Sequence, residues 1–128
     1  MELKLVKNDY TFWEFIRNLR NAPGTKESFI EQEHIEQTTH ERFMKKHSDC
    51  YFICLSDETP VGFIGVIEGD IRVAVSPEFQ GMKIGSYMVS EMAKHHPTAA
   101  AKVKIANEAS LRLFESCGYK RKYYILER

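Results

Sequence analysis

The 128-residue sequence has no net charge at neutral pH, because eighteen Lys and Arg offset eighteen Asp and Glu. A chain without a field of one sign cannot gather nucleic acid or an anionic membrane by counterion release, so neither is expected as a partner. Any anion must be held by a local device. Long hydrophobic runs are also missing: the start, Met1-Glu2-Leu3-Lys4-Leu5, lacks the apolar stretch that a signal peptide or a membrane span requires. The expected location is the cytoplasm. Cysteine is scarce, and none of Cys50, Cys54 and Cys117 belongs to a Cys-x-x-Cys pair, which excludes the zinc and redox motifs built on it. Small buried hydrophobes are the expected role of these thiols. His34 and His40 stand six positions apart, which is not the spacing of a helical metal pair, and no metal is expected. Internal repeats, low-complexity tracts and linkers are absent. So are the Gly-x-x-x-x-Gly-Lys-Ser/Thr and Gly-x-Gly-x-x-Gly patterns, which argues against a P-loop or a Rossmann domain.

What is present is an ordinary globular composition, 43% hydrophobic and 28% charged, at a length that fits one domain over residues 1–128. Alternation predicts a first strand over about residues 2–7. Phe12, Trp13, Phe15, Ile16 and Leu19 then recur at helical spacing up to Pro23-Gly24. A second amphipathic helix, with Ile35, Phe43 and Met44 inward, runs out near His47-Ser48-Asp49. Tyr51 to Leu55 and Val61 to Ile67 read as a hairpin, and Glu68-Gly69-Asp70 turns the chain into a third strand, Ile71 to Val75. A helix from Ile84 to His95 is expected next. It is followed by a short strand around Lys102 to Ile105, a helix from Ala109 to Cys117 stopped by Gly118, and a last strand from Lys122 to Leu126. The order β-α-α-β-β-β-α-β-α-β predicts a mixed α/β (α+β) fold. Its central mixed sheet has about six strands and is flanked by four helices.

The run from Val75 to Met88 passes from a strand end through a loop into a helix. Glycines at 81 and 85 let backbone approach a ligand closely, the first-turn N–H groups of the helix suit a pyrophosphate, and Lys83 adds a charge. Taken alone, two glycines before a helix also fit a plain loop. The run resembles the coenzyme A signature of the GNAT acetyltransferases, Gln/Arg-x-x-Gly-x-Gly/Ala after Val-x-Pro, with Gln80, Ile84 and Gly85 in place. Asn107 to Tyr119 is similar to the same family's Asn-x-x-Ala/Ser-x-x-Leu-Tyr/Phe-x-x-x-Gly-Phe/Tyr segment. The resemblance covers residues 50–126.

The resemblance implies acetyl-CoA as co-substrate, held by the loop Gln80, Gly81, Met82, Lys83, Ile84, Gly85 and Ser86. The backbone near Val73 and Val75 would bind the pantetheine arm and the thioester oxygen, Asn107 would position the pantetheine or the reacting carbonyl, and Phe114 lies beside them. Departures are equally specific. Lys83 replaces the signature's middle glycine, Phe114 stands where many members carry a proton-donating tyrosine, and Lys102 replaces the glutamate of some protein N-terminal acetyltransferases. For the base that must receive the amine's proton, Glu68 and then Asp70 lead, because they lie at the turn where other members keep a carboxylate. His40 comes next: Arg20-Asn21-Ala22-Pro23 followed by His40-x-x-Phe43 resembles members that acetylate amino-sugar nucleotides and related small amines. The same histidine also fits a structural place on an amphipathic helix. The activity implied is N-acetylation of a primary amine on a small molecule, an amino-sugar nucleotide among the candidates, by direct attack in a ternary complex. A peptide or protein acceptor, and a CoA-binding module without catalysis, stay open, and a homodimer is compatible with the sequence.

Overall fold

The computed structural model describes residues 2–23, 25, 29 and 34–128. Its strands are β1 (Leu3–Lys7), β2 (Tyr51–Ser56), β3 (Thr59–Ile67) and β4 (Asp70–Val75), and its helices are α1 (Trp13–Asn21), α2 (Gln37–His47), α3 (Ile84–His95) and α4 (Glu108–Ser116). The strands form one antiparallel sheet in the order β1-β2-β3-β4. Two tight turns join its hairpins, and a one-residue shift between Cys54 and Leu55 resets the β2–β3 register beyond the first. Asp57 and Glu58 join β2 to β3, and Glu68 and Gly69 join β3 to β4, each pair with both φ angles positive. That is the backbone hand that matches strand twist in a two-residue hairpin.

The sheet is buried on both faces. Ile16 and Leu19 of α1 and Met44 of α2 pack with Ile53, Phe63 and Ala74 on one face, while Met88, Val89 and Met92 of α3 and Phe114 of α4 pack with Cys54, Ile64 and Ile71 on the other. The alternation of side chains along each strand therefore sorts its residues between two helical layers. All three cysteines are free, Cys54 fully buried and the other two half-buried. Burial pushes the Cys54 thiol up to about 11.

The two strands expected after α3 do not form, so the sheet has four strands rather than about six, and its ladders are antiparallel rather than mixed. After α3 the chain touches β4 through a single parallel bridge, Asp70 to Ala100, in which Ile71 N–H donates to the Ala100 carbonyl at 2.9 Å. It then leaves the sheet. Ile105 is 79% exposed, and Tyr123 and Leu126 are 90% and 92% exposed. Residues 122–126 are exposed and pair with nothing described, and residues 102–105 diverge from the open edge of β4 beyond Ala100, Val103 staying half-buried against the core.

Candidate active site

The site is built on the open edge of β4. Ser76 N–H donates to the Val61 carbonyl at 2.8 Å, so even-numbered positions of this strand face β3. Odd-numbered positions then face outward, as the Ile71 to Ala100 bond confirms. By the same parity the N–H groups of Val73 and Val75 point off the sheet, and neither donates to another described residue. Two free amides on a strand edge are hydrogen-bond donors awaiting a ligand.

The chain leaves β4 through a 3-10 turn at Pro77–Phe79 and enters α3 with two residues in the left-handed region, Gly81 at φ 82° and Lys83 at φ 63°. Gln80 Nε2 donates back to the Val75 carbonyl at 3.2 Å, which ties the loop to the strand end. The first bond of the helix runs from Tyr87 N–H to the Lys83 carbonyl, and no side chain caps the N-terminus. The N–H groups of Ile84, Gly85 and Ser86 therefore have no acceptor among the described residues. With the helix dipole behind them they suit an anion. Gln80, Gly81, Lys83, Ile84, Gly85 and Ser86 line a cavity of about 380 Å³ together with Val73, Val75 and Asn107. Met82, which also belongs to the loop, is not among its lining residues and is exposed.

Lys83 holds a conformation that costs a residue with a Cβ about 1–2 kcal/mol. Lys83→Gly is expected to raise the melting temperature by on the order of 4 °C. Lys83→Gln, which keeps the backbone cost and removes the charge, should leave it unchanged; scanning calorimetry of the two variants checks this.

A second cavity, of about 300 Å³, opens further along the same edge and shares Phe29, Val73, Asn107 and Ser110 with the first. Asn107 stands at the junction because it caps α4, its side-chain oxygen accepting from Ser110 N–H at 3.2 Å. Phe114 lines the second cavity and stacks edge-on against Tyr119, ring centroids 5.4 Å apart. Asp70 and Lys102 line it as well. Asp70 lies 3.7 Å from the Arg72 guanidinium, an ion pair too long for a direct hydrogen bond.

Two further residues of this cavity, Tyr51 and Arg72, carry no motif, and Gly65 lies between them in the sheet. The register sets Tyr51 of β2 opposite Gly65 of β3, and Gly65 opposite Arg72 of β4. A Cβ at Gly65 would stand 2.6–2.9 Å from three atoms of the Tyr51 ring, so the absence of a side chain is what lets that ring lie across β3. Tyr51 is 1% exposed, and its hydroxyl makes no hydrogen bond among the described residues. Burial pushes the phenol pKa up, against the nearby charges of Arg72 and Arg20 that pull it down. Arg72 lies 5.8 Å from the centroid of the Phe43 ring. Sequence signals for this row are weak: a tyrosine in an apolar strand, a strand glycine and an arginine on a polar face.

The candidate bases are not brought together. Glu68 is exposed at the tip of the β3–β4 turn and lines neither cavity. His40 is 2% exposed between α1 and α2, with Nε2 2.9 Å from the Trp13 carbonyl. Since a carbonyl only accepts, that nitrogen carries the proton. Burial lowers the imidazole pKa, and the ring lines neither cavity. Asp70 is the one of the three that does. His34 is exposed, 3.9 Å from Glu36.

The model of the acetyltransferase (GNAT) family matches residues 13–119 of this sequence. The chain belongs to the GNAT acetyltransferases. It is an acetyl-CoA-dependent N-acetyltransferase. A comparison with curated proteins finds no match. Among solved structures it is similar to the Vibrio cholerae spermidine N-acetyltransferase in complex with CoA and spermine, at 20% identity and a TM-score of 0.84 over 98% of this chain and 85% of that one. It is similar to AAC(6')-Iy bound to a CoA-S-monomethyl-acetylneamine bisubstrate analogue, at 15% identity and a TM-score of 0.71 over 100% and 98%. The yncA protein of Salmonella typhimurium with its cofactor acetyl-CoA matches at 14% identity and 0.75 over 92% and 79%. At these identities the likeness shows the fold. The residues of this acetyltransferase fit the co-substrate on their own evidence, since the larger cavity joins two free strand amides to three free helix amides. Among its described residues no cluster of three or more His, Cys, Asp or Glu side chains suits a metal, and no helix is long and apolar enough to cross a membrane.

Proposed function

We propose that this GNAT enzyme acetylates the primary amine of a small molecule by direct attack in a ternary complex. The observation that carries the reading is the meeting of two cavities at Val73 and Asn107, on the open edge of β4. When bound, acetyl-CoA supplies a thioester whose acetyl carbon takes the amine nitrogen and whose sulfur departs as the thiolate, which takes a proton from solvent. The chain's part is to bind and orient. The α3 amides hold the pyrophosphate, and the Val73 and Val75 amides hold the pantetheine arm and face the charge that develops on the thioester oxygen, an arrangement worth roughly 3–4 kcal/mol of barrier. Asp70 receives the amine's proton directly or through one water. Phe114 has no proton to give, and a thiol that ionises near about 8.5 leaves without an acid. A cavity of about 300 Å³ suits a small amine better than a peptide segment.

Release of thiol, with an acetylated product identified by mass spectrometry across a panel of amines, tests the reading. Acetyl-CoA binding without thiol release from any amine would make the chain a CoA-binding module. Turnover of peptide N-termini alone would make it a peptide acetyltransferase.

The cofactor loop has its own test in Gly85→Val. A Cβ at Gly85 already meets Leu113 Cδ2 at 3.1 Å and Val75 Cγ2 at 3.8 Å, so a branched side chain forces α3 away from α4 and carries the anion-binding amides with it. At least a tenfold loss of acetyl-CoA affinity is expected, about 1.4 kcal/mol. An unchanged calorimetric titration of the folded variant would remove this loop from the binding site.

A further inference from the structure

We propose that the acceptor of this enzyme carries an anionic group, a carboxylate or a phosphate, and that the Tyr51 hydroxyl and the Arg72 guanidinium bind it in the cavity beside Asp70. The inference rests on the reading of that cavity as the acceptor site. Its first support is the charge of the wall. Arg20 aside, the charged groups among the described residues lining the cavity are the cations Arg72 and Lys102 and the carboxylate Asp70. A polycation such as a polyamine would meet two like charges there, whereas an amine with an anionic substituent finds a carboxylate for its ammonium end and cations for the other.

The second support is independent of charge. A fully buried hydroxyl without a hydrogen bond is costly unless a ligand completes it, because its desolvation is uncompensated. The Tyr51 hydroxyl is such a group, and Tyr51 lines this cavity. The Arg72 guanidinium lies close enough to lower the phenol pKa by its charge and by a polar contact with the hydroxyl, but that contact does not have the geometry of a formed hydrogen bond. An anion accepting from both would satisfy the hydroxyl and pair with a half-buried guanidinium held against the Phe43 ring. The phenol retains its proton at neutral pH and can donate to such a group.

The third support is how the row is seated. Gly65 leaves room for the ring, and Tyr51 is braced by Phe63, ring centroids 5.8 Å apart, and by Phe43 at 6.3 Å. The hydroxyl is thus fixed by packing rather than by a bond of its own. A donor held rigidly and left unused is preorganised for a ligand.

Matched acceptors test the proposal: an amino acid against its amide, and phosphoethanolamine against ethanolamine, with spermidine as the cationic arm. For the series that fits, kcat/KM of the anionic member should exceed that of its neutral partner by at least tenfold, and which pair shows it separates carboxylate from phosphate. Tyr51→Phe, which keeps the ring, should reduce the preference severalfold, Arg72→Gln should abolish it, and Arg72→Lys should restore part of it. The two partners are compared within each variant, so a change common to both cancels from the preference. Equal rates for anionic and neutral partners, a preference for spermidine, or an anion preference indifferent to both Tyr51→Phe and Arg72→Gln would overturn the subsite. Calorimetric binding of the anionic amines distinguishes this from failure of the acceptor reading. Without thiol release from any amine the transferase reading falls, while saturable anion binding lost in Arg72→Gln would still uphold the subsite and its absence would overturn it.

Discussion

Gly65→Ala is expected to destabilise the protein by about 1–3 kcal/mol and to raise the acceptor KM severalfold, with acetyl-CoA affinity unchanged. The added methyl would occupy the place of the Tyr51 ring, 2.6–2.9 Å from three of its atoms. The ring has nowhere to retreat, since Phe43 and Phe63 stand on it and it is fully buried. Either the ring leaves its rotamer or β2 and β3 part locally, and both displace the hydroxyl from Arg72. Neither Tyr51 nor Gly65 lines the larger cavity, so its ligand should be held as before. A double-mutant cycle isolates the cause: in a Tyr51→Leu background, where the ring is gone, Gly65→Ala should cost much less. The same cost in both backgrounds, read from denaturant unfolding, would mean that the glycine serves the strand and not the ring.

This row also shows which parts of the protein were legible in the sequence. Contiguous features read well. The strand end at Val75, the loop from Gln80 to Ser86, the start of α3 at Ile84 and the cap at Asn107 depend on neighbours within a few positions, and local chemistry decides them. Tyr51, Gly65 and Arg72 meet only through two hairpin registers, and a slip of one residue in either would send a side chain to the opposite face. The resemblance points to the turn that holds both Glu68 and Asp70, but the direction of each side chain is set by the fold. The turn places Glu68 at φ 51° in solvent and returns the next strand with Asp70 at the cavity. His40, a candidate by the same resemblance, packs between α1 and α2 and donates to the Trp13 carbonyl. The residues around 102–105 and 122–126 show the converse error, because a local pattern describes a strand but does not decide whether the segment stays on an edge or turns away from it.

Asp70→Asn should lower the rate of acetyl transfer at least tenfold at neutral pH, within the 100- to 10,000-fold that a positioned base contributes in general. An amine that arrives as an ammonium must lose a proton to attack, and Asp70 is the candidate base that lines the acceptor cavity. The substitution preserves shape. It leaves the backbone bridge through Ile71 N–H and the Gly69 carbonyl untouched, so acetyl-CoA affinity and the melting temperature should hold. Its effect should fall on kcat rather than on KM, because the Arg72 guanidinium that faces the acceptor's other end remains. Raising the pH toward the acceptor's own pKa, near about 8 for an α-amine and 10.4 for an alkyl amine, delivers the nucleophile already deprotonated, and the ratio of wild-type to variant rates should shrink accordingly. Glu68→Gln, exposed and outside both cavities, should behave as wild type throughout. If Asp70→Asn kept wild-type rates across that pH range, the proton would be leaving through water alone and the carboxylate would serve only as the partner of Arg72. If instead its deficit were the same at every pH, Asp70 would be orienting the acceptor rather than taking its proton.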